Sequence, residues 1–74
     1  MSVTVYTLPS CVQCESTKKL LEKNAIAFSV VDLSENEDAM SMVKSLGYAS
    51  APVVVAGDKH WAGFRPDMIT SLAS

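Results

Sequence analysis

The sequence predicts an α/β domain in which four strands and three helices follow the order β-α-β-α-β-β-α, with all strands in one mixed sheet. Three observations support this prediction: short runs of β-branched and aromatic residues, a helical repeat of apolar residues between positions 39 and 46, and a Gly-Asp turn before the last strand. The chain has 74 residues, of which 49% are hydrophobic and 19% are charged. This composition can form one packed domain over residues 1–74.

The first half of the chain is predicted to form a strand, a helix and a second strand. The first strand covers residues 3–8, which are mostly β-branched or aromatic. Residues 11–23 favour a helix with Ser10 as its N-cap, and residues 27–32 favour the second strand. One side of the helix is expected to carry Cys14, Thr17, Lys18 and Leu21. A strand-helix-strand unit implies that the two strands pair in parallel.

The second half of the chain is predicted to add a helix, a hairpin and a last helix. Residues 34–37, with the sequence Ser-Glu-Asn-Glu, match a capping box that starts the second helix, and Gly47 is a suitable residue to end it. Residues 51–56 form a buried strand and residues 59–61 a short return strand, which places an antiparallel pair at one edge. Pro66 is near the first position of the last helix.

Two cysteines, Cys11 and Cys14, lie directly after the first strand and open the first helix. This context is typical of thiol-disulfide exchange. The free N–H groups and the positive dipole end of the helix stabilise a thiolate, so Cys11 is expected to have a lowered pKa and to act as the exposed nucleophile. Cys14, one turn further along, is expected to be buried and to resolve the mixed disulfide. A bridge between residues this close would stabilise the fold little.

Two other interpretations of the cysteine pair remain open. The cysteines could be ordinary core residues, although a helix start is an exposed place for Cys11. They could bind zinc, but a closed site needs four ligands, and His60 is the one further strong ligand in the chain. We therefore expect no metal, and His60 is expected to be an exposed strand residue.

Pro52 is the second signal, because it follows a loop and starts a strand. In a redox fold such a proline can be cis and lie against the disulfide. A trans proline at a strand edge is the alternative, and residue statistics alone favour it, since only about 5–6% of X–Pro bonds are cis.

Three segments together resemble one family, the NrdH-type redoxins of the thioredoxin superfamily. They are Cys11-Val12-Gln13-Cys14, Ala51-Pro52 and Trp61-Ala62-Gly63-Phe64-Arg65-Pro66. The resemblance covers essentially the whole chain and implies a thioredoxin fold with a cis peptide at Ala51-Pro52. It also implies a dithiol hydrogen donor to class Ib ribonucleotide reductase. Such a donor binds no cofactor and is recharged by thioredoxin reductase, which uses NADPH.

The resemblance also assigns roles to individual residues. The redox-active disulfide joins Cys11 and Cys14. The residues expected to contact partner proteins are Val12, Gln13, Ser50, Ala51, Pro52, Trp61, Phe64 and Arg65. In the family, the stretch matching residues 61–65 forms a bonded cluster that helps close the cleft where glutaredoxins hold glutathione. Arg65 is accordingly expected to be engaged within the protein, although Trp61 and Phe64 could simply be core aromatics.

The chain departs from both thioredoxins and glutaredoxins near the cysteines. Ser10 stands where thioredoxins have a Trp, and no acidic residue precedes Cys14, so the sequence identifies no proton acceptor for Cys14. Gly63 is followed by Phe64 and Arg65 where glutaredoxins usually have a Gly-Gly and an acid near the glutathione carboxylate. Bulky aromatics are therefore expected to fill the cleft and to leave a rim that suits a protein surface.

Two competing functions remain. A glutathione-dependent glutaredoxin would share the fold but use a different electron source. A metal-ion chaperone would share the C-x-x-C position but follow the order β-α-β-β-α-β.

Composition and charge limit the classes of partner and the cellular compartment that the sequence favours. The formal net charge of -2 provides no basic stripe for nucleic acid. No run approaches the roughly 20 apolar residues of a membrane helix. No secretory signal is visible. We expect a cytoplasmic monomer.

Overall fold

A four-stranded mixed sheet with the strand order β2-β1-β3-β4 forms the centre of the protein. The computed structural model describes residues 2–73. The elements in chain order are β1 (Val3–Thr7), α1 (Val12–Lys23), β2 (Ser29–Asp32), α2 (Glu37–Ser45), β3 (Val53–Ala56), β4 (Lys59–Ala62) and α3 (Pro66–Leu72). This confirms the predicted order and the thioredoxin-like arrangement. The first three strands are shorter than predicted, since β1 ends at Thr7, β2 begins at Ser29 and β3 begins after Pro52, whereas β4 extends one residue further than predicted, to Ala62.

The strand pairing explains why β1 and β3 are the most buried strands. β1 pairs in parallel with β2 and antiparallel with β3, and β3 pairs antiparallel with β4. β1 and β3 therefore lie between two neighbours, whereas β2 and β4 form the edges. The β-branched residues Val5, Val53 and Val54 are fully buried in these central strands, where branched side chains pack well on a pleated surface.

Hydrophobic clusters cover both faces of the sheet. One cluster combines Val5, Val54 and Trp61 with Leu21 of α1 and Ile69 of α3. The other combines buried residues Leu33, Ala39, Val43 and Val53, and includes the buried face of α2. The helices α1 and α3 thus pack on one face and α2 on the other. No helix in the described part of the chain is long and apolar enough to cross a membrane.

The N-caps of the first two helices differ from those predicted. Cys11, not Ser10, caps α1, while Ser10 adopts a positive φ of 59° in the preceding turn. Asn36, not Ser34, caps α2, and its side chain accepts a hydrogen bond from the backbone N–H of Ala39. The capping-box interpretation was wrong because Ser34 is bound in a local turn, in which Asp32 Oδ1 accepts from both its N–H and its hydroxyl.

Candidate active site

A disulfide between Cys11 and Cys14 lies at the N-terminus of α1. Cys11 has extended backbone angles, with φ of −100° and ψ of 106°, as an N-cap residue should. The backbone N–H of Cys14 donates a hydrogen bond to Cys11 Sγ, with 3.1 Å between nitrogen and sulfur. One helix start thus provides both the nucleophilic position and a donor directed at its sulfur. When Cys11 is a thiolate, this donor and the helix dipole stabilise its charge.

The two cysteines differ in burial in the predicted direction. Cys14 is 1% exposed, whereas Cys11 is half-buried. The two residues between them face solvent: Val12 is 80% exposed, and Gln13 is also exposed. A partner protein can therefore approach Cys11 over Val12, while Cys14 is accessible only from within the site.

The peptide bond between Ala51 and Pro52 is cis, as the family resemblance implies. Pro52 is buried at the start of β3, and the residues before it are more accessible: Ala51 is half-buried and Ser50 is exposed. Because Tyr6 is opposite Val53, Pro52 comes one residue beyond the last β1–β3 pair, at the end of β1 that leads to Cys11. The cis proline and the disulfide are therefore at the same end of the sheet, where β1 ends and β3 begins.

Gly63, which directly follows β4, lies at the same end of the sheet as Pro52. Its N–H donates a hydrogen bond of 2.8 Å to the carbonyl of Pro52, which extends the β3–β4 pairing by one residue. A Cβ at Gly63 would be 3.8 Å from Gln13 Oε1, so the active-site turn reaches the end of β4. Gly63 has a φ of +83°, which L-residues rarely adopt. Three separate segments thus meet around the disulfide.

The aromatic and basic residues of the 61–65 stretch do not form the bonded cluster that was expected. Trp61 is 3% exposed within the core, and its Nε1 has no hydrogen-bond partner among the described residues. This burial agrees with the alternative that Trp61 is a core aromatic, and a contact between Trp61 and a partner protein stays a prediction. Phe64 is 37% exposed and is the aromatic side chain that this stretch presents to solvent.

Arg65 is engaged, but with a neighbour at the surface. Its Nε and Nη2 donate to the two carboxylate oxygens of Asp67, at 3.1 and 2.9 Å. These hydrogen bonds lower the pKa of Asp67, and the interaction raises the pKa of Arg65. The pair orients the guanidinium towards Asp67, and because both side chains are exposed, solvent screens the interaction.

Sequence reasoning missed a contact that links the loop before the cis proline to the edge of the sheet. Tyr48 Oη and His60 Nδ1 are 2.7 Å apart, and the two rings meet edge to face. His60 is exposed on β4 as expected, but it is not an isolated strand residue. No local pattern connects positions 12 residues apart, and only the β3–β4 hairpin brings them together.

No group of three or more His, Cys, Asp or Glu residues is placed to hold a metal ion within residues 2–73. The observed element order also ends in a hairpin and a helix, unlike the β-α-β-β-α-β order of the metal-ion chaperones. The geometry of the two cysteines fits disulfide exchange instead.

Comparisons with known proteins identify the family. A family model described as Glutaredoxin matches residues 3–61. The glutaredoxin-like protein NrdH of Salmonella typhimurium is 44% identical over 97% of this chain and 89% of its own length. The solved structure of NrdH-redoxin from Escherichia coli is 40% identical, with a TM-score of 0.94 over 97% of this chain and 95% of that chain. A glutaredoxin from Archaeoglobus fulgidus is 28% identical, with a TM-score of 0.78 over 96% and 84%.

The similarity to the NrdH proteins covers almost the whole chain, including the three segments that meet around the disulfide. The glutaredoxin match covers the first three strands, the first two helices and β4 as far as Trp61. The chain therefore belongs to the glutaredoxin family as one of its NrdH-type redoxins, and it is a thiol-disulfide oxidoreductase.

Proposed function

We propose that this redoxin is a dithiol electron donor to class Ib ribonucleotide reductase, and that thioredoxin reductase returns it to the reduced form with electrons from NADPH. The observation that supports this proposal most directly is its similarity to the NrdH proteins. The Escherichia coli protein, with a TM-score of 0.94, is described as glutaredoxin-like with a thioredoxin-like activity profile. In this proposal the redoxin itself binds no cofactor and acts in the cytoplasm as a monomer.

Each cysteine has a separate task in the reaction. The Cys11 thiolate attacks a disulfide of the partner, which forms a mixed disulfide and releases one partner sulfur. Cys14 then attacks Cys11 Sγ, so that the Cys11–Cys14 bond forms and the second partner sulfur leaves and takes up a proton. The exposure of the two cysteines supports this order, because the more accessible sulfur belongs to Cys11 and the 1% exposed one to Cys14.

A partner would be held by backbone pairing and by apolar contact. The backbone at the exposed Ser50 and the half-buried Ala51, just before the cis proline, can pair with an extended segment of the partner. Val12 and Phe64 provide exposed apolar side chains near the same end of the sheet. Gln13 is also exposed, and its Oε1 would lie 3.8 Å from a Cβ at Gly63.

The residues around the cleft favour a protein partner over glutathione. The family position of the usual Gly-Gly and acid is occupied by Gly63, Phe64 and Arg65, and Arg65 is bound to Asp67. A free guanidinium would be the natural partner of the glutathione carboxylates, and here it is already engaged. Glutathione-dependent reduction is the alternative function.

The deciding experiment supplies electrons to the oxidised protein in two ways. One assay contains NADPH and thioredoxin reductase, and the other contains NADPH, glutathione and glutathione reductase. We expect rapid reduction in the first assay and slow reduction in the second. The reduction potential should lie between about −270 and −200 mV, the range between thioredoxin and the glutaredoxins. Efficient turnover in the glutathione assay, with none in the thioredoxin reductase assay, would show that the protein is an ordinary glutaredoxin.

The partner surface can be tested separately with Phe64→Ala. This change should raise the KM of thioredoxin reductase for the redoxin and leave the reaction with dithiothreitol unchanged, because only the protein reductase would contact Phe64. Val30→Ala is the matched control, since Val30 is also an exposed apolar residue but lies on the β2 edge. An equal rise in KM in both variants would contradict the proposed surface.

A further inference from the structure

The hydroxyl of Thr17 is a buried polar group that the disulfide form does not use. Thr17 is completely buried, and its Oγ1 has no hydrogen-bond partner among the described residues. Burying a hydroxyl without a partner is unfavourable, so such a group in a native core calls for an explanation. Thr17 lies on the buried side of α1 together with Cys14 and Leu21.

A threonine hydroxyl within a helix commonly finds a hydrogen-bond acceptor in the helix itself, and Thr17 does not. Such a hydroxyl can bond to a carbonyl one turn earlier in its own helix. Thr70 in α3 does this, since its Oγ1 donates to the carbonyls of Pro66 and Asp67 at 3.0 and 3.2 Å. Thr17 makes no such bond, although the carbonyls of the preceding turn are equally near in sequence.

The position of Thr17 in α1 brings it next to the resolving cysteine. Residues three apart are neighbours on one helix face, and a helical side chain covers the turn before its own Cα. Thr17 therefore covers the turn that contains Cys14, and both residues are buried on the same side of the helix. In the oxidised protein, Cys14 Sγ is bonded to Cys11 Sγ, and the Thr17 hydroxyl has no hydrogen-bond partner among the described residues.

We propose that reduction releases Cys14 Sγ to accept a hydrogen bond from the Thr17 hydroxyl, and that Thr17 thereby serves the resolving step of the redox cycle. The bond satisfies a hydroxyl that is unsatisfied in the disulfide form. It therefore stabilises the reduced protein relative to the oxidised one and makes the disulfide easier to reduce. It also favours the Cys14 thiolate, the species that attacks the mixed disulfide, and no acidic residue precedes Cys14 in the sequence.

The resolving step is balanced without another reagent. The Cys14 thiol loses its proton, and the thiolate attacks Cys11 Sγ of the mixed disulfide. The Cys11–Cys14 bond forms, the bond between Cys11 and the partner sulfur breaks, and the partner sulfur leaves with the electron pair and is protonated by water. Thr17 donates to Cys14 Sγ before the attack and loses this acceptor when the disulfide closes.

The first test is the reduction potential of Thr17→Val, measured by equilibration in dithiothreitol buffers with alkylation and mass spectrometry. Valine has the same shape without the hydroxyl, so the disulfide form should be favoured by about tenfold, which corresponds to a potential about 30 mV lower. Thr17→Ser should restore the original value. Thr70→Val, which removes a hydroxyl already bonded in α3, is the control and should leave the potential unchanged.

A purely structural role for Thr17 would destabilise or stabilise both redox forms equally and leave the potential where it is. An unchanged or higher potential in Thr17→Val therefore overturns the proposal. If Thr17→Val fails to fold, the comparison of Thr17→Ser with Thr17→Ala isolates the hydroxyl, and equal potentials in these two variants overturn the proposal as well. The dithiothreitol measurement does not involve thioredoxin reductase, so its outcome is independent of the proposed electron source.

A second test separates the two chemical steps. Reduced protein is mixed with the disulfide of thionitrobenzoate, and the release of the coloured thiol is followed. The first phase reports attack by Cys11 and the second reports resolution by Cys14. Thr17→Val should slow the second phase about tenfold and leave the first unchanged, because less Cys14 is present as thiolate. Equal slowing of both phases, or none, would contradict the proposal.

Discussion

The helices α1 and α2 begin with the same capping geometry, but the cap of α1 belongs to the candidate redox centre and the cap of α2 is structural. Each has an extended N-cap residue whose side chain accepts a hydrogen bond from the N–H three residues later. In α2, Asn36 Oδ1 accepts from Ala39 at 2.9 Å. In α1, Cys11 Sγ accepts from Cys14 at 3.1 Å. A structural cap and a candidate redox centre are thus built on one local motif.

The difference lies in the capping atom and in the residue that it binds. An amide oxygen remains neutral and only satisfies an otherwise free donor at the helix start. A thiol can ionise, and the same donor and dipole then stabilise a negative charge. In α1 the donor belongs to Cys14, so the capping contact also brings the resolving cysteine next to the nucleophile. A capping position thus becomes a reactive one when sulfur replaces oxygen.

The largest effect is expected from Cys11→Ser. Serine is a good N-cap, so the unfolding free energy should stay within about 1 kcal/mol of the reduced wild type. Disulfide reduction should be eliminated, because a hydroxyl does not replace the thiolate. Cys14→Ser is the matched variant: it should accumulate a stable mixed disulfide with a partner protein, visible by gel electrophoresis without reductant. Mixed disulfides formed by Cys11→Ser instead would reverse the assignment.

Two glycines can be compared in the same way, one at the active-site end of the sheet and one after α2. Gly63 and Gly47 both have positive φ, of +83° and +94°. Replacing either with alanine should lower the unfolding free energy by about 1–2 kcal/mol, the cost of left-handed backbone in an L-residue. Only Gly63→Ala should also slow the reaction with partner proteins, because a backbone shift that relieves the positive φ would move the N–H that donates to the carbonyl of Pro52. Equal activities of the two variants would argue against a role for this end of the sheet.

A smaller effect is expected from Asn36→Ala, the structural counterpart of the cysteine change. Loss of this cap should lower the unfolding free energy by about 1 kcal/mol, with no change in redox activity. Ser34→Ala is the control and should change the stability by less than about 0.5 kcal/mol, because Ser34 is exposed and lies outside the helix. Chemical denaturation measures both. A larger loss in Ser34→Ala would restore the capping-box interpretation.

The smallest effect concerns α3, whose N-cap, Arg65, forms no side-chain capping bond. Its first turn instead contains Asp67, whose pKa is lowered mainly by hydrogen bonds from Arg65. A lowered carboxyl pKa contributes stability above the ordinary value of 3.8, and this contribution is lost as the pH falls through the lowered value. Asp67→Asn should therefore melt slightly below the wild type at neutral pH and together with it in strong acid. A difference that persists in acid would exclude this origin.

The sequence predicted the element order and the active-site segments because these depend on local signals. Runs of β-branched residues, apolar residues at helical spacing and a C-x-x-C motif after a strand can be recognised without tertiary structure. The two N-caps were misassigned, since Ser34 and Asn36 are both good capping residues and only the backbone conformation decides between them. The contact between Tyr48 and His60, the burial of Trp61 and the unsatisfied hydroxyl of Thr17 depend on how separate elements pack. The cis bond at Pro52 was predicted by family resemblance, against the residue statistics.

Activation of Cys11 by the start of α1 can be measured in the reduced protein as the pH dependence of alkylation of each thiol, resolved by mass spectrometry. The capping geometry of α1 predicts that Cys11 reacts first and that its rate rises well below the pH of about 8.5 at which a free cysteine ionises. Cys14 should be protected throughout this range by its burial. Equal rates for the two thiols, or a Cys11 that ionises no more easily than a free cysteine, would contradict the conclusion that this helix start activates the nucleophile.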